Sequence, residues 1–527
     1  MENALRSPTD VHFPVNRVLV VLLALNFLLR LWVVARPLEY LDGLTIPDDT
    51  YLSLTLARNI SRGLGPSYAG EPTNGFQPLS VFLMVPVFLA VPNSLSFPVH
   101  AATALSAIFD TLTLLLLCRI AARHIRSSFT LPAVALAWIL NPAGIRTATN
   151  GMETSMACFF LTWGLWILEV NYMSAGATGS RRASLALGAV IGLGMLARID
   201  VVLFGAVAVA TMLAAGRTDL RKTCREAIVV IVTAFLLYIP WLLYSFSFTG
   251  DLYPVSGRAV RFMSLATVDF SPTFRNWYSL ILRAGLNAVA TTNNAVLLAG
   301  GAALGALLVA TRGSVRNGRE KFLWLAPASA HAILLFAAYT LYIFGPWFFE
   351  RYLFPTTIVL FLILAALVDS LVTMFKRQSH TLYAITAVAA LVVTLDLVDP
   401  DFKSLLFRSD TTSMGYMNAG IWARRTFAPG TVIGSAQSGA LGYFADSLTV
   451  INLDGVVSSS CYEALLRFRC LSFLRERRVQ YVIGWYSNFQ YLEHQSEGMT
   501  KSDLHELRKI DGLTSWGYNW YFAKVAY

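Results

Sequence analysis

Two adjacent carboxylates, Asp48 and Asp49, open the stretch PDDTYLSLTLARNI, just after the first long apolar run. An acid there has an ordinary use: it satisfies the orphan amides of an amphipathic helix and faces its dipole. Beside a membrane, in a loop long enough to fold over a cavity, a carboxylate has a second use. It can take the proton of a hydroxyl that is about to act as a nucleophile. The readings are compatible, because one Asp can cap while the other faces a site. The same loop continues into PTNGFQPL, whose Asn74 and Gln77 add polar side chains that could bind a ligand.

Other candidates are spread along the chain. NPAGIRTATNGMETSM supplies Arg146, Asn150 and Glu153, although NGMET also reads as a plain turn leading into a helix. LARID places Arg198 and Asp200 between two apolar segments, where charge is costly unless it is paired or faces a wet cavity. A mutual ion pair is the structural alternative. FTGDLYPVSGRAVRF adds Asp251, Tyr253 and Arg258, and GPWFFERYLFP adds Arg351 and Tyr352. Each arginine alone resembles an interface anchor. If Arg58, Arg198, Arg258 and Arg351 converged, they would suit a phosphate, which guanidinium binds through two parallel hydrogen bonds.

The elements that must position these groups are helices in a bilayer. Hydrophobic residues make up 56% of the 527-residue chain and charged ones 14%, too apolar for a soluble core. The net charge of +10 gathers in loops, as orientation in a membrane demands, and so does not point to nucleic acid. Apolar runs fall at 17–35, 79–91, 98–118, 129–145, 154–172, 184–197, 201–215, 226–247, 293–311, 323–344, 355–375 and 380–398. The run at 79–91 is short, contains Pro86 and is flanked by Pro78 and Pro92, so it reads as an interfacial or re-entrant helix. Without it, the basic loops 119–126, 180–184, 216–225, 311–321 and 376–380 share one side. About eleven spans follow, with the N-terminus cytoplasmic and the C-terminus outside. The first run contains Arg30 and lacks a cleavage-site pattern, so it reads as a retained span.

The outer side then holds a large first loop, 36–97, and everything from about 399 onward. Residues 1–398 read as the membrane module. Residues 399–527 read as a small α/β domain, with β-like TVIGSA, LTVINLDG and VQYVIGWY and one amphipathic helix, CYEALLRFRCLSFLRERR. Cys461 and Cys470 in that helix are candidates for a bridge, while Cys118, Cys158 and Cys224 should pack in apolar runs. No P-loop, dinucleotide fingerprint, H-E-x-x-H or C-x-x-C is present. Outside LARID, intramembrane charge is sparse, with Asp110 the clearest case, which disfavours an ion-coupled transporter.

Taken in order, DDTYLSLTLARNI, GLGPSY, PTNGFQPL, NGMETS, LARID, GDLYP and ERYLFP resemble the GT-C superfamily of polytopic glycosyltransferases. The nearest kin are the protein O-mannosyltransferase and lipid A aminoarabinose transferase group and the mycobacterial arabinofuranosyltransferases. The resemblance covers roughly residues 15 to 400. It departs from the relatives at LARID, where they often read LARPE. The resemblance implies a transferase with a polyprenyl-phosphate sugar as donor and a glycan, lipid or protein hydroxyl as acceptor, working at the outer membrane face with inversion. It places the general base at Asp48 or Asp49, with a slight preference for Asp48. Glu153 beside the Asp pair leaves room for a divalent cation. Two other classes compete: a flippase for a lipid-linked sugar, and a non-catalytic envelope-assembly protein whose C-terminal part binds a partner.

Overall fold

The computed structural model describes residues 15–174, 179–216, 219–267, 320–343, 349–375, 400–407, 415–497 and 503–526. Six helices among them are long and apolar enough to cross a membrane: Arg17–Val34, Phe97–Ala122, Thr154–Met173, Leu220–Thr249, Leu323–Tyr342 and Glu350–Ser370. The expected spans at 293–311 and 380–398, and the basic loop 376–380, lie outside the described residues.

The proline-broken run forms a helix, Pro78–Ala90, of 13 residues. At 1.5 Å per residue it extends about 20 Å, short of an apolar bilayer core of about 30 Å. The run at 129–145 is not one span. A helix Thr130–Leu140 stops at Asn141, which precedes Pro142 and adopts an extended conformation. The Asn141 side chain then caps a second short helix, Pro142–Ala148, by accepting the Gly144 amide at 3.0 Å. LARID joins two helices, Arg181–Ala197 and Val201–Ala215.

The isolated membrane charges find each other. Arg30 and Asp110 are buried and paired at 3.0 Å. Trp138 Nε1 and Asn26 Nδ2 also donate to the Asp110 carboxylate, and Arg30 donates to the backbone oxygen of Ile139 at 2.6 Å. This network ties the first span to Phe97–Ala122 and Thr130–Leu140. It gives the intramembrane charge a structural purpose.

The first loop contains the helix Asp48–Ser61 and a two-stranded hairpin, β1 (Ser67–Tyr68) with β2 (Glu71–Pro72). The C-terminal part builds a five-stranded sheet in the order β4-β3-β5-β7-β6. The strands β3 (Val432–Ser435), β4 (Thr449–Asn452) and β5 (Tyr481–Trp485) are the three expected β-like stretches, mutually parallel. A hairpin of β6 (Leu504–Ser515) and β7 (Tyr518–Val525) adds antiparallel to β5. The expected single amphipathic helix is instead two, Ser459–Leu466 and Cys470–Glu476, broken at Phe468 with φ of 54°. The break turns Cys461 and Leu465 toward Cys470, Phe473 and Leu474, so both pieces bury into one core. Cys461 and Cys470 are free buried thiols there and form no bridge. Cys118 and Cys158 are buried as expected, whereas Cys224 is exposed.

Three first-loop carboxylates hold this C-terminal unit by the starts of its helices. Asp42 accepts the amide of Met417 at 2.8 Å, where Met417–Thr426 begins. Asp48 accepts the amides of Gly439 and Ala440, each at 2.8 Å, where Ser438–Phe444 begins. Glu71 accepts the Ser460 amide at 2.9 Å and the hydroxyls of Ser458 and Ser460, where Ser459–Leu466 begins. Each puts negative charge on orphan amides at the positive end of a helix. One apolar core then runs through both parts, joining Leu54, Phe76, Phe88 and Trp241 to Ala440, Tyr443 and Phe444. The loops at the carboxyl ends of β3 and β4 consequently face the first loop.

Candidate active site

A cleft of about 140 Å³ opens where the first loop, the LARID turn, the segments beginning at Tyr253 and Arg351, and the loop after β4 meet. Of the residues expected from sequence, Asp49, Gln77, Glu153, Arg198, Asp200, Tyr253, Arg351 and Tyr352 line it. Asp48, Arg58, Asn74, Asn150 and Arg258 do not.

The Asp pair divides its work. Pro47 takes the N-cap position, and both Asp side chains lie in the first turn of the helix. Successive residues of a helix point about 100° apart, so the two carboxylates leave in different directions. Asp48 is turned to the C-terminal unit, with both oxygens on backbone amides. Desolvation outweighs those two bonds and pushes its carboxyl up to about 7. Asp49 faces the cleft, with Oδ2 at 2.6 Å from Arg351 Nη1. The slight preference for Asp48 as the base therefore does not match the geometry, because its oxygens are engaged elsewhere.

The LARID turn holds its own pair. Arg198 Nη2 donates to Asp200 Oδ2 at 2.5 Å and to the Tyr339 hydroxyl at 3.0 Å, and Tyr339 donates to Asp200 at 2.7 Å. Glu153 Oε1 lies 3.8 Å from Arg198 Nη1. The mutual ion pair is thus present, and it forms part of the cleft wall. The Tyr339 and Tyr352 rings stack at 4.6 Å, with the Arg351 guanidinium 5.1 Å from the Tyr352 ring centre. Two guanidinium groups and an aromatic face converge on one side of the cleft.

The other expected site residues have structural employment. Arg58 is buried and donates to the backbone oxygens of Tyr443 and Gly442 at 2.9 and 3.0 Å, closing the far end of the helix that Asp48 caps. Asn74 is fully buried, donates to Ser245 and Thr249, and accepts the Val255 amide. Asn150 accepts the Met152 amide across a turn with Gly151 at φ of 73°, as the plain-turn reading of NGMET expects. Arg258 pairs with Asp251 and lies over the Tyr462 ring at 5.1 Å. Asp48, Asp49 and Glu153, which left room for a cation, do not all face one point. Asp48 is on amides and Asp49 is on Arg351, and no group of three or more His, Cys, Asp or Glu is placed to hold a metal among the described residues.

Two ionisable lining residues escaped the sequence reading. Tyr339 sits within an apolar run, where a buried phenol needs a partner, and that was its one signal. Asp454 follows β4 in LTVINLDG, so an acid at the carboxyl end of a parallel strand was the signal available for it.

The fold has counterparts among solved structures. ArnT from Cupriavidus metallidurans, bound to undecaprenyl phosphate, aligns over 96% of this chain and 97% of its own, with 12% identity and a TM-score of 0.57. The oligosaccharyltransferase of Archaeoglobus fulgidus aligns over 97% of this chain and 75% of its own, at 14% identity and a TM-score of 0.58. The chain has the GT-C fold. Residues 407–522 of the chain match a domain of unknown function, DUF8728. No curated protein is a sequence match. At these identities the likeness establishes the architecture, and the chemistry rests on the cleft.

Proposed function

We propose that this GT-C chain is a glycosyltransferase that moves a sugar from a polyprenyl-phosphate donor to a hydroxyl of a cell-envelope glycan, lipid or protein, at the outer face of the membrane. The observation that carries the reading is the Asp49–Arg351 pair in the cleft. A base and a phosphate-binding cation sit together where a donor headgroup and an acceptor hydroxyl would have to meet. Support comes from ArnT, whose structure holds undecaprenyl phosphate, and from the archaeal oligosaccharyltransferase AglB of Archaeoglobus fulgidus, in complex with an inhibitory peptide and a dolichol-phosphate.

The step is a single displacement. The acceptor oxygen bonds to the anomeric carbon and the bond from that carbon to the phosphate oxygen breaks. The acceptor proton passes to Asp49, and the electron pair leaves with the phosphate. A phosphodiester monoanion becomes a phosphate monoester dianion, so positive charge fixed beside it lowers the barrier. Arg351 fits that task, with Arg198 behind it. The pairing also couples binding to catalysis. When Arg351 turns to the donor phosphate, the Asp49 carboxylate is released to meet the acceptor hydroxyl. Backside attack inverts the anomeric centre.

The test is mass analysis of lipid-linked sugars in a deletion strain complemented with wild-type chain or with Asp49→Asn. Accumulated polyprenyl-phosphate sugar in the deletion and the Asp49→Asn strains, cleared by wild type, supports transfer. Translocation of a lipid-linked sugar without release of polyprenyl phosphate would make the chain a flippase instead.

A further inference from the structure

The cleft has a wall that the membrane module does not supply. The loop after β4 contributes Asp454, Val456 and Val457 to it. This loop is pressed against the first loop: a Cβ on Gly75 would lie 1.9 Å from the Val456 backbone oxygen. The Asp454 carboxylate accepts the Val456 amide at 3.0 Å, which fixes the side chain on the turn. We infer that the C-terminal unit completes the acceptor subsite, with Asp454 accepting a hydrogen bond from a hydroxyl of the incoming acceptor. The inference rests on the transferase reading above.

Charge decides which substrate Asp454 meets. A carboxylate repels a donor phosphate, and Arg351 and Arg198 already offer that phosphate a place on the membrane-module side. A lipid-borne donor must arrive through the bilayer, whereas Asp454 belongs to the unit built on the sheet. The two carboxylates Asp49 and Asp454 line one cleft from opposite structural parts and feel each other's charge. Between them, a polar acceptor carrying several hydroxyls can donate to both at once. Carboxylate oxygens that face a partly desolvated cleft favour a hydrogen-bond donor, and a hydroxyl supplies one without adding charge.

Asp454 also titrates near neutrality. Desolvation, with Asp49 nearby, pushes its carboxyl up to about 7. The groups facing it are Asp48 and Asp49 of the first-loop helix, Tyr68 of the hairpin, and Cys461 and Tyr491 of its own unit. Only the ionised form accepts hydrogen bonds through both oxygens, so acceptor binding should strengthen as pH rises through about 7.

The experiment uses full-length chain in detergent and membranes from a deletion strain, which carry both accumulated donor and native acceptor. Release of polyprenyl phosphate is followed against membrane concentration from pH 5.5 to 8.5, and undecaprenyl phosphate alone is the binding probe by thermal shift. Asp454→Asn is expected to keep the thermal shift with undecaprenyl phosphate. It should raise the apparent KM for membranes at least tenfold and flatten the pH profile near 7, with partial rescue in Asp454→Glu. Unchanged KM and pH profile in Asp454→Asn overturn the inference while leaving the transferase reading intact. Loss of the undecaprenyl phosphate shift in Asp454→Asn overturns it in favour of a donor-side or folding role. Wild-type chain that neither binds undecaprenyl phosphate nor releases it overturns both.

Discussion

Asp48 and Asp49 are neighbours in sequence and face different partners: Asp48 takes the amides of Gly439 and Ala440, and Asp49 takes the guanidinium of Arg351. One turn of helix therefore both docks the C-terminal unit and arms the cleft. Isosteric substitution should separate the roles. Asp49→Asn should lower transfer by about 10²- to 10⁴-fold, the usual worth of a general base, with the melting temperature unchanged. Asp48→Asn should leave undecaprenyl phosphate binding intact and destabilise the fold by about 1–2 kcal/mol through weakened amide bonds. Equal loss of transfer with equal stability in both variants would defeat this assignment.

Arg58 and Arg351 were expected to share a phosphate, and the structure gives them different work. Arg58 spends two donors on the carbonyls of Gly442 and Tyr443 and lies over the Tyr443 ring at 5.0 Å. Arg58→Ala should cost about 3 kcal/mol of stability, because charged hydrogen bonds to helix-end carbonyls are lost in a buried site. Its affinity for undecaprenyl phosphate should stay within twofold of wild type. Arg351→Ala should do the reverse, weakening that affinity at least tenfold with little change in melting, and Arg351→Lys should recover only part of it. Thermal unfolding with and without the lipid phosphate reads both effects.

Gly75 in TNGF is required by close approach, since a Cβ there would stand 1.9 Å from the Val456 oxygen and 2.9 Å from Val255. The obstructing atom at Val456 is backbone and cannot swing away. Gly75→Ala should push the loop after β4 off the first loop, at a cost on the order of 1–3 kcal/mol, as overpacking does. Transfer should fall with it, because that loop closes the cleft. A variant with wild-type melting and transfer would show that the two loops separate freely.

The sequence was most legible where physics acts locally. Apolar runs, the proline-broken segment at 79–91, three buried strands and the LARID hairpin all announce themselves through periodicity or the cost of charge in lipid. What stayed hidden depends on contacts between parts distant in sequence. Nothing in Arg58 or Asn74 says that a buried partner lies more than 170 residues away, so both looked like site residues. Phe468 gave no warning of a left-handed break in an otherwise helical pattern. The β6–β7 hairpin was missed because β6 is largely exposed and polar, LHELRKIDGLTS, while its two-residue turn at Trp516 and Gly517 lacks the usual Asn-Gly or Asp-Gly signal. Asp454 stands out only once β4 places it at a strand's carboxyl end facing the first loop.

Three buried carboxyls where the first loop meets the C-terminal unit also make stability depend on pH. Desolvation raises the Asp42 carboxyl to about 6, and the Asp48 and Asp454 carboxyls to about 7, against an ordinary value of 3.8. A carboxyl raised in the folded state binds more protons there than in the unfolded chain between those limits. Its stabilisation is full below the unfolded value and is lost as pH rises through the folded one. The contribution from these three groups should therefore shrink between about pH 4 and pH 7. The melting temperature of the full-length chain should decline across that range relative to an Asp42→Asn, Asp48→Asn, Asp454→Asn triple variant, which lacks the titration. Parallel melting curves for the two proteins from pH 5 to pH 8 would show that the carboxyls ionise alike in both states. Transfer should move the other way, since the ionised Asp454 is the stronger acceptor for a hydroxyl. The working pH of the proposed transferase would then lie where the seam between its two parts is already giving up stability.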